Sequence, residues 1–436
     1  MRKLVVILIS FLSLTAFSQT NTYSPYSRFG LGDLSRQGLA FNKAMGGAGI
    51  ALRQPNTLNL LNPASYTTQD TLSFIFDFGV FSNITNYKTT ARESQASNLS
   101  LDHIVFGFPV TKWWKSSLGL VPYSRMGYSL FNRPISTITI EKEDGKHALT
   151  WENDYQGTGG LNKLFLGNAF KIKNLSVGVN FNVVFGTLEQ THKLSFPYVS
   201  DYSSPEKYQR QAIRSTHFTF GFQYDVKLSN DFKMVIGGVL ENKSRMVSKT
   251  YLLSTSSTPF TAINPNTGQP VNQISLDTLQ FYDKKVYDHL PMMYGAGLSF
   301  SYKNKLTLTG DFSTQKWSEY QSFNAFDSLA DSRYLNFGLQ YTPDPTSIRS
   351  YWKRINFRAG FYTNDTYLKI KGQQLKDYGV SFGMRLPLKG SRSALQISYE
   401  YGKRGTTDYN LIEENYHAIN LSVSLYDFWF MKSKFD

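Results

Sequence analysis

The sequence of 436 residues contains no cysteine, and this absence excludes several classes of exported protein. The chain cannot be a lipoprotein anchored through an acylated cysteine, nor a small secreted domain held together by disulfides. After residue 20, no segment approaches the roughly 18 consecutive apolar residues of a transmembrane helix. Acidic residues are also scarce, since 32 Asp and Glu stand against 46 Lys and Arg, a net charge of +14. Aromatic residues are abundant instead, with 28 Tyr and 33 Phe.

The first 20 residues have the pattern of an export signal. Arg2 and Lys3 precede a short apolar stretch at 4–12, and Ala16-Phe17-Ser18 supplies the small residues of a cleavage site. We therefore expect a signal peptide at 1–18, cleaved near Ser18-Gln19; an uncleaved interfacial anchor is the alternative. An exported chain does not meet nucleic acid, so the outer membrane and its lipopolysaccharide head groups are the expected partners of the positive charge. The alternative is a solvated surface excess.

Apolar residues alternate with small or polar ones over long stretches. In residues 174–186, NLSVGVNFNVVFG, the odd-numbered positions from Leu175 to Phe185 are all apolar, and the same period recurs at 217–226, 378–386 and 418–430. Side chains of a strand point alternately to opposite faces, so each segment has one apolar face and one polar face. Strands of a sandwich also alternate but average about five or six residues, whereas these segments are long enough for tilted membrane crossings. The predicted fold class is all-β, a transmembrane antiparallel β-barrel over residues 71–436.

The connections between these segments predict about 14 strands. Six connections are short, at 110–116, 171–174, 228–232, 302–305, 343–353 and 388–393. Seven are long, near 83–97, 132–154, 190–210, 251–286, 320–331, 365–375 and 404–414. Short turns of bacterial outer-membrane barrels face the periplasm and long loops face outside. We therefore expect both termini in the periplasm and 251–286 as the longest external loop.

Residues 19–70 precede the first strand and show no alternation. They contain many glycines, together with scattered apolar residues such as Met45, Ile50 and Leu58. A 14-stranded barrel is wider than one whose lumen is filled by its own side chains. We therefore predict that this segment is a hatch or plug inside the lumen. The alternative is a disordered periplasmic tail, which would usually contain fewer apolar residues.

Three features together resemble the FadL family of outer-membrane barrels for hydrophobic molecules. They are the glycine-rich stretch AMGGAGIAL at 44–52, the motif Asn62-Pro63-Ala64 before the first strand, and the strand count with its aromatic last strand. The resemblance implies an N-terminal hatch and lateral passage of ligand into the membrane through a gap at a kinked third strand. This chain continues NPASY where the family has NPAGL. Its closing DFWFMKSKFD resembles a branch that includes PorV-like secretion shuttles, which bind protein partners.

The third predicted strand contains an unusual proline. Residues 117–130 read SLGLVPYSRMGYSL, which places Pro122 within the strand, with Arg125 and Gly127 shortly after it. Proline has no N–H for the ladder, and a closed barrel has no edge at which to tolerate it. We predict a local break, and the family resemblance favours a lateral opening formed by Pro122, Arg125 and Gly127. A bulge without an opening is the alternative.

Enzyme chemistry has little support in the sequence. Ser215 and His217 share one face of a strand but lie about 6–7 Å apart, too far for a direct nucleophile–base hydrogen bond. No pair of histidines has the spacing of a zinc site, so no catalytic residue, metal or cofactor is expected. Several charged residues occupy predicted inward positions and are expected to pair with one another or with the plug. They are Asp77, Asp225, Asp311, Arg358, Arg385 and Glu400.

Two functions follow from these patterns. One is passive uptake of a hydrophobic molecule or lipid, such as a long-chain fatty acid, by hatch movement and lateral release. The other is a non-transporting adaptor or shuttle subunit of an outer-membrane protein secretion or assembly complex, with the long loops contacting a protein partner.

Overall fold

A computed structural model describes residues 23–133, 138–142, 145–196, 203–263, 269–320 and 328–428. The predicted signal peptide and the tail after Phe428 lie outside these ranges. The described strands are β1 (Asp33–Leu34), β2 (Ser73–Lys88), β3 (Glu93–Pro109), β4 (Trp114–Asn132), β5 (Ile138–Lys142), β6 (Gly145–Leu149), β7 (Glu152–Ile172), β8 (Leu175–Ser195), β9 (Ser204–Lys227), β10 (Phe232–Glu241), β11 (Ser244–Ile263), β12 (Pro270–Leu290), β13 (Met293–Tyr302), β14 (Leu306–Gln315), β15 (Ser328–Leu329), β16 (Ser332–Tyr341), β17 (Asn356–Ile370), β18 (Gln373–Pro387), β19 (Ala394–Arg404) and β20 (Glu413–Phe428).

Helical structure among the described residues is short. One α-helix, α1, spans Ala40–Lys43. The 3₁₀ turns are Pro25–Arg28, Pro63–Thr68, Trp317–Glu319, Trp352–Arg354 and Asp408–Asn410. Within the described ranges, we find no helix with the length and apolarity to span a bilayer.

Fourteen antiparallel strands form a closed wall, which confirms the predicted fold class and strand count. Around the barrel they run β2-β3-β4-β7-β8-β9-β10-β13-β14-β16-β17-β18-β19-β20, and β20 pairs with β2 from Ser73↔Phe428 to Lys88↔Glu413. The short connections lie at the end of the barrel where β2 begins and β20 ends, here called the short-turn end. The opposite end, which carries the longer connections, is called the long-loop end.

The alternation of the sequence becomes the two faces of the wall. On β8, Ser176, Asn180 and Asn182 are buried on the inner face, while Phe181 and Phe185 are exposed on the outer face. The outer residues form the apolar surface that faces lipid, and the polar residues line the lumen. Asp77, Asp311, Arg358, Arg385 and Glu400 are buried, and Asp225 is partly buried.

Several predicted long loops are shorter than the sequence suggested because the strands continue past the apolar band. Predicted loop 365–375 contains only the two-residue turn Lys371-Gly372, with φ of 50° and 80°. Predicted loop 83–97 reduces to residues 89–92 between β2 and β3. Backbone pairing continues beyond the stretches in which apolar and polar residues alternate regularly. The hydrophobic pattern therefore marked the crossing and not the end of each strand.

The prediction of a loop at 251–286 is wrong, because the described residues of this range belong to a long hairpin of two paired strands. β11 and β12 pair with each other from Ser244↔Leu290 to Ile263↔Pro270. They are not part of the wall, since β10 pairs directly with β13 along its whole length. Instead β11 pairs with Ser204–Ser215 of β9, beyond the part of β9 that pairs with β10. The hairpin therefore extends the sheet at the long-loop end.

Candidate functional site

The described part of the N-terminal segment, residues 23–70, lies inside the barrel. Leu39, Phe41 and Met45 are fully buried, and Leu58 is almost so. Residues of the segment form hydrogen bonds with strands on several sides of the wall, among them β9, β18 and β20. The scattered apolar residues that the sequence contains here pack against one another and against inner wall residues such as Ile75 and Val105.

The Asn62-Pro63-Ala64 motif joins this segment to β9 and β10. Asn62 caps the 3₁₀ turn Pro63–Thr68, because its Oδ1 accepts a hydrogen bond from the Ala64 N–H at 3.0 Å. Its Nδ2 donates to the carbonyl oxygens of Phe222 and Gly238, at 3.0 and 3.3 Å. One side chain therefore both starts the turn and bonds two neighbouring wall strands.

Glycines in the wall make room for the motif. A Cβ at Gly178 would lie 2.5 Å from the Pro63 carbonyl carbon, and one at Gly221 would lie 2.1 Å from Asn62 Oδ1. Tyr66, which follows in NPASY, reaches β8, where its hydroxyl donates to Asn180 Oδ1 at 3.2 Å. The departure from NPAGL is therefore accommodated by a bulky, hydrogen-bonded contact with the wall.

The glycine-rich stretch 44–52 lies against the adjoining part of the wall, from β10 to β18. Gly46 has a φ of 68°, and a Cβ there would lie 2.5 Å from the Phe361 carbonyl oxygen. Asp311 on β14 accepts hydrogen bonds from the N–H groups of Gly49 and Ile50 at 2.5 and 2.7 Å. Here an inward carboxylate binds segment backbone, as the sequence predicted for charges facing the lumen.

Buried ion pairs also hold the segment. Lys43 contacts Asp102 on β3 at 2.5 Å, and Arg36 contacts Glu400 on β19. Burial alone would lower the pKa of Arg36, but the Glu400 carboxylate beside it raises that pKa above its ordinary value. Removing one partner of such a pair leaves an uncompensated buried charge. The segment is therefore fastened to the lumen by charge as well as by packing.

Two further ion pairs join the segment to the wall. Arg404 on β19 contacts Asp33 of β1 at 2.5 Å and also Glu414 on β20. Arg53 lies 3.2 Å from Asp225 on β9. Arg358 donates to Gln54 at 3.3 Å and to Gln340 and Gln396 on the wall.

The wall is parted between β3 and β4. These strands pair only from Ile104↔Leu120 to Pro109↔Lys115, so β4 beyond Leu120 has no β3 partner. Pro122 lies at the start of this unpaired stretch, and the register between β4 and β7 shifts between Pro122 and Ser124. This separation is referred to below as the β3–β4 gap.

The N-terminal segment satisfies the backbone that the gap leaves free. β1 pairs with β4 at Asp33↔Arg125 and Leu34↔Ser124. The Ser35 N–H donates to the Tyr123 carbonyl at 3.0 Å, and the Ser24 N–H donates to the Gly127 carbonyl at 2.9 Å. The inner edge of the parted strand is thus covered by the segment, as it must be where an unsatisfied carbonyl would be costly.

The three predicted residues of the opening lie together at this gap. Pro122 and Arg125 both line a cavity of about 130 Å³ between the parted strands. Arg125 donates to the Leu101 carbonyl at 3.3 Å and lies over the Phe81 ring at 4.7 Å. Gly127 binds Ser27, whose hydroxyl accepts from its N–H at 3.1 Å. Whether ligands leave by this gap stays a prediction.

The lumen beyond the gap is closely filled. Three interior cavities have volumes of about 70, 130 and 180 Å³, and charged side chains such as Arg36 line all three. A larger concavity of about 1430 Å³ lies outside, on the lipid-facing surface, lined by residues such as Phe222, Leu298 and Phe337. Cavities of these sizes suit water and not an extended apolar molecule.

The serine–histidine arrangement considered from the sequence is not assembled. Ser215 Oγ donates to the Arg245 carbonyl at 3.0 Å, and neither ring nitrogen of His217 has a hydrogen-bond partner among the residues described. Among all the residues that the structure describes, no three His, Asp or Glu side chains lie close enough together to hold a metal ion.

The strand β12 has one unpaired edge. It pairs with β11 on one side, and no described strand pairs with its other side. Ile274, Leu276, Leu279 and Phe281 on this strand are all more than 60% exposed. A long edge strand with exposed apolar side chains is a template for pairing with another chain.

Sequence reasoning missed Asp102, His103 and Lys43. His103 contacts Asp77 at 2.7 Å and Asp102 at 2.9 Å. Because Asp102 also pairs with Lys43, these four side chains form a continuous row of polar contacts. A signal was present: Asp102-His103 interrupts the alternation of NLSLDHIVFGF, and the register of β2 and β3 shifts there, next to Gly79.

The model of the protein family described as BamG matches residues 1–436. No curated protein matches. Among solved structures, this chain is similar to the Pseudomonas putida toluene transporter TodX, with 15% identity, a TM-score of 0.56, and coverage of 92% of this chain and 100% of that one. It is also similar to the Ralstonia pickettii toluene transporter TbuX, with 14% identity, a TM-score of 0.56, and coverage of 89% and 97%.

A Pseudomonas aeruginosa FadL homologue shares 10% identity with this chain, with a TM-score of 0.53 and coverage of 91% of this chain and 100% of the other. At these identities the comparisons show the fold. The fold is that of FadL-type outer-membrane barrels, as the hatch motif and strand count predicted.

Proposed function

This chain belongs to the BamG family, and we propose that it is a membrane-embedded adaptor that docks another exported protein on the outside of the outer membrane. The observation that carries the proposal is the unpaired edge of β12. It lies at the long-loop end, which the sequence predicts to be extracellular.

The edge has both elements of recognition by strand addition. Its free N–H and C=O groups can form a ladder with an extended segment of a partner, and its side chains can provide selectivity. Natural barrels close their walls and usually shorten or charge the edges that remain. β12 carries charges such as Lys284 and Lys285, but it is not shortened: it spans 21 residues and exposes Leu276, Leu279 and Phe281.

The filled lumen favours the adaptor function over the function of an open pore. Lys43, Arg36 and Arg404 bind the N-terminal segment and the wall together through buried or partly buried ion pairs. A barrel locked in this way supplies a rigid platform for the extended sheet of β7, β8, β9, β11 and β12 at the long-loop end.

Site-specific photocrosslinking tests the proposal. A photoreactive residue at Leu276 should form a stoichiometric crosslink to one polypeptide in intact cells, and Leu279→Pro should abolish it. Proline is chosen because it lacks the backbone N–H that would donate to an added strand, and because the change exposes no new apolar surface. Tyr409, 63% exposed in the loop between β19 and β20, provides the matched control position. Equal crosslinking from both positions, or none from Leu276, would reject strand addition.

Uptake of a hydrophobic molecule is the second candidate, and the β3–β4 gap favours it. The relatives TodX and TbuX are named as toluene transporters and share the fold. On this proposal, the N-terminal segment moves as a hatch, and the ligand, a long-chain fatty acid or similar molecule, leaves sideways past Pro122. Uptake assays with Pro122 variants, described in the Discussion, distinguish the two functions.

A further inference from the structure

We propose that the β3–β4 gap binds the anionic head group of a membrane amphiphile through Arg125, Ser100 and Ser124. This site is independent of the adaptor function, because it faces lipid and lies away from β12. It requires no passage of ligand through the lumen.

Arg125 is a cation without a carboxylate. Besides the cavity in the gap, it lines an interior cavity, also of about 130 Å³, together with Arg36, Lys43 and Arg404. The other three form ion pairs with Glu400, Asp102 and Asp33. Within the described ranges, no Asp or Glu oxygen lies within 4.0 Å of the Arg125 guanidinium, whose protein hydrogen bond is the long contact with Leu101. A guanidinium so placed in a membrane wall is costly unless a ligand completes its hydrogen bonds.

Two unused hydroxyls line the gap with it. Ser100 Oγ and Ser124 Oγ are buried, and neither has a hydrogen-bond partner in the described chain. Both serines line the cavity within the β3–β4 gap together with Arg125 and Asp102, and the Asp102 carboxylate is already engaged by Lys43 and His103. Buried polar atoms are normally satisfied, so two orphan hydroxyls beside a free guanidinium indicate a missing partner. An acceptor-rich anion, a phosphate or a carboxylate, would satisfy all three groups.

The position suits a lipid head group. Arg125 is level with Gly160 on β7 and Thr187 on β8, just past the outward apolar residues Leu164 and Phe185. This is the boundary of the apolar band nearest the long-loop end, where head groups of the outer leaflet lie. At about 130 Å³ the cavity has room for a small anionic group such as a phosphate or a carboxylate. The acyl chain of the amphiphile would extend along the exposed side chains of Leu99, Leu101 and Leu118.

Native mass spectrometry of the full-length protein in neutral detergent tests the site with three probes. They are dilauroyl phosphatidylglycerol, laurate and inorganic phosphate. We expect one Arg125-dependent molecule of at least one amphiphile per barrel, and the preferred amphiphile identifies phosphate or carboxylate as the ligand group. Arg125→Gln should weaken that binding about 10- to 100-fold, the range for losing a charge-assisted hydrogen bond. Arg125→Lys should retain part of it.

Matched variants separate this site from general attraction to a basic protein. Arg210→Gln removes one charge from an exposed pair with Glu189 on the extended sheet and should leave binding unchanged. The double variant Ser100→Ala, Ser124→Ala keeps the charge and should weaken binding less than Arg125→Gln. Heat-modifiable migration on gels confirms that each barrel is folded. Equal binding by the Arg125→Gln and Arg210→Gln variants would overturn the proposal, as would equal binding of inorganic phosphate, which would show an adventitious ion only.

Discussion

Lys43 of helix α1 and Asp102 of β3 form an ion pair at 2.5 Å, with each side chain only 6% exposed. Asp102 also contacts His103 Nδ1, and Lys43 also donates to Asn420 on β20 at 3.0 Å. The pair therefore connects the lumenal segment to both neighbours of β2. It is the contact whose loss should most directly weaken the attachment of the segment.

Lys43→Met should destabilise the folded barrel by about 3–5 kcal/mol, because it leaves the Asp102 carboxylate buried beside His103 without its cation. Urea-induced unfolding in detergent measures this free energy. Lys243→Met is the matched control, since Lys243 and Glu319 form an exposed pair worth about 0–1 kcal/mol. The double variant Lys43→Met, Asp102→Leu should recover part of the loss. Equal stability of the two single variants would show that the buried pair does not hold the segment.

Deletion of residues 24–70 should leave a barrel that conducts ions far better than the full chain in a planar bilayer. A 14-stranded wall is wider than its own side chains can fill, and the described segment occupies that space. Asn62→Leu, which removes the bonds to Phe222 and Gly238, should give a smaller increase or flickering conductance. Low conductance from the deleted form, with folding confirmed by heat modifiability, would mean that the segment does not close the pore.

The absence of cysteine makes single-cysteine labelling a clean test of orientation. Leu279→Cys on the hairpin should react with a membrane-impermeant maleimide on intact cells, because that side chain is 62% exposed at the long-loop end. Asn230→Cys, in the short turn between β9 and β10, should react only after the outer membrane is permeabilised. The reverse labelling pattern would invert the predicted topology and place the β12 edge in the periplasm.

Pro122→Val with Gly127→Val should alter the β3–β4 gap by restoring a ladder donor and favouring an extended strand. Barrel stability should rise, because the proline removes a hydrogen bond within a transmembrane strand. If the chain takes up hydrophobic compounds, cells carrying this variant should accumulate them more slowly at equal amounts of barrel. Pro109→Val, at the end of β3, is the control. Unchanged uptake, with the Leu276 crosslink retained, would favour the adaptor function and exclude release through the gap.

The sequence by itself determined the class of the fold. Alternation such as that from Leu175 to Phe185 assigns each side chain to the lipid or the lumen, because a strand repeats every two residues. The thirteen predicted connections between the alternating segments then indicated fourteen strands. Pro122 could be recognised as special because it conflicts with ordinary strand geometry, and Asn62-Pro63-Ala64 because it resembles a family motif. These are local properties, and local patterns are what one sequence records.

Only the tertiary structure decided which distant residues meet. Nothing near Lys43 in the chain indicates Asp102, and nothing near Arg125 indicates that Ser100 on another strand shares its cavity. The β11–β12 hairpin was also hidden, because residues 251–286 are rich in residue types that are common in turns. Backbone pairing beyond the bilayer depends on which edge lies alongside, as β9 lies alongside β11. Closure of the barrel fixes those neighbours, and the candidate sites exist only where closure brings them together.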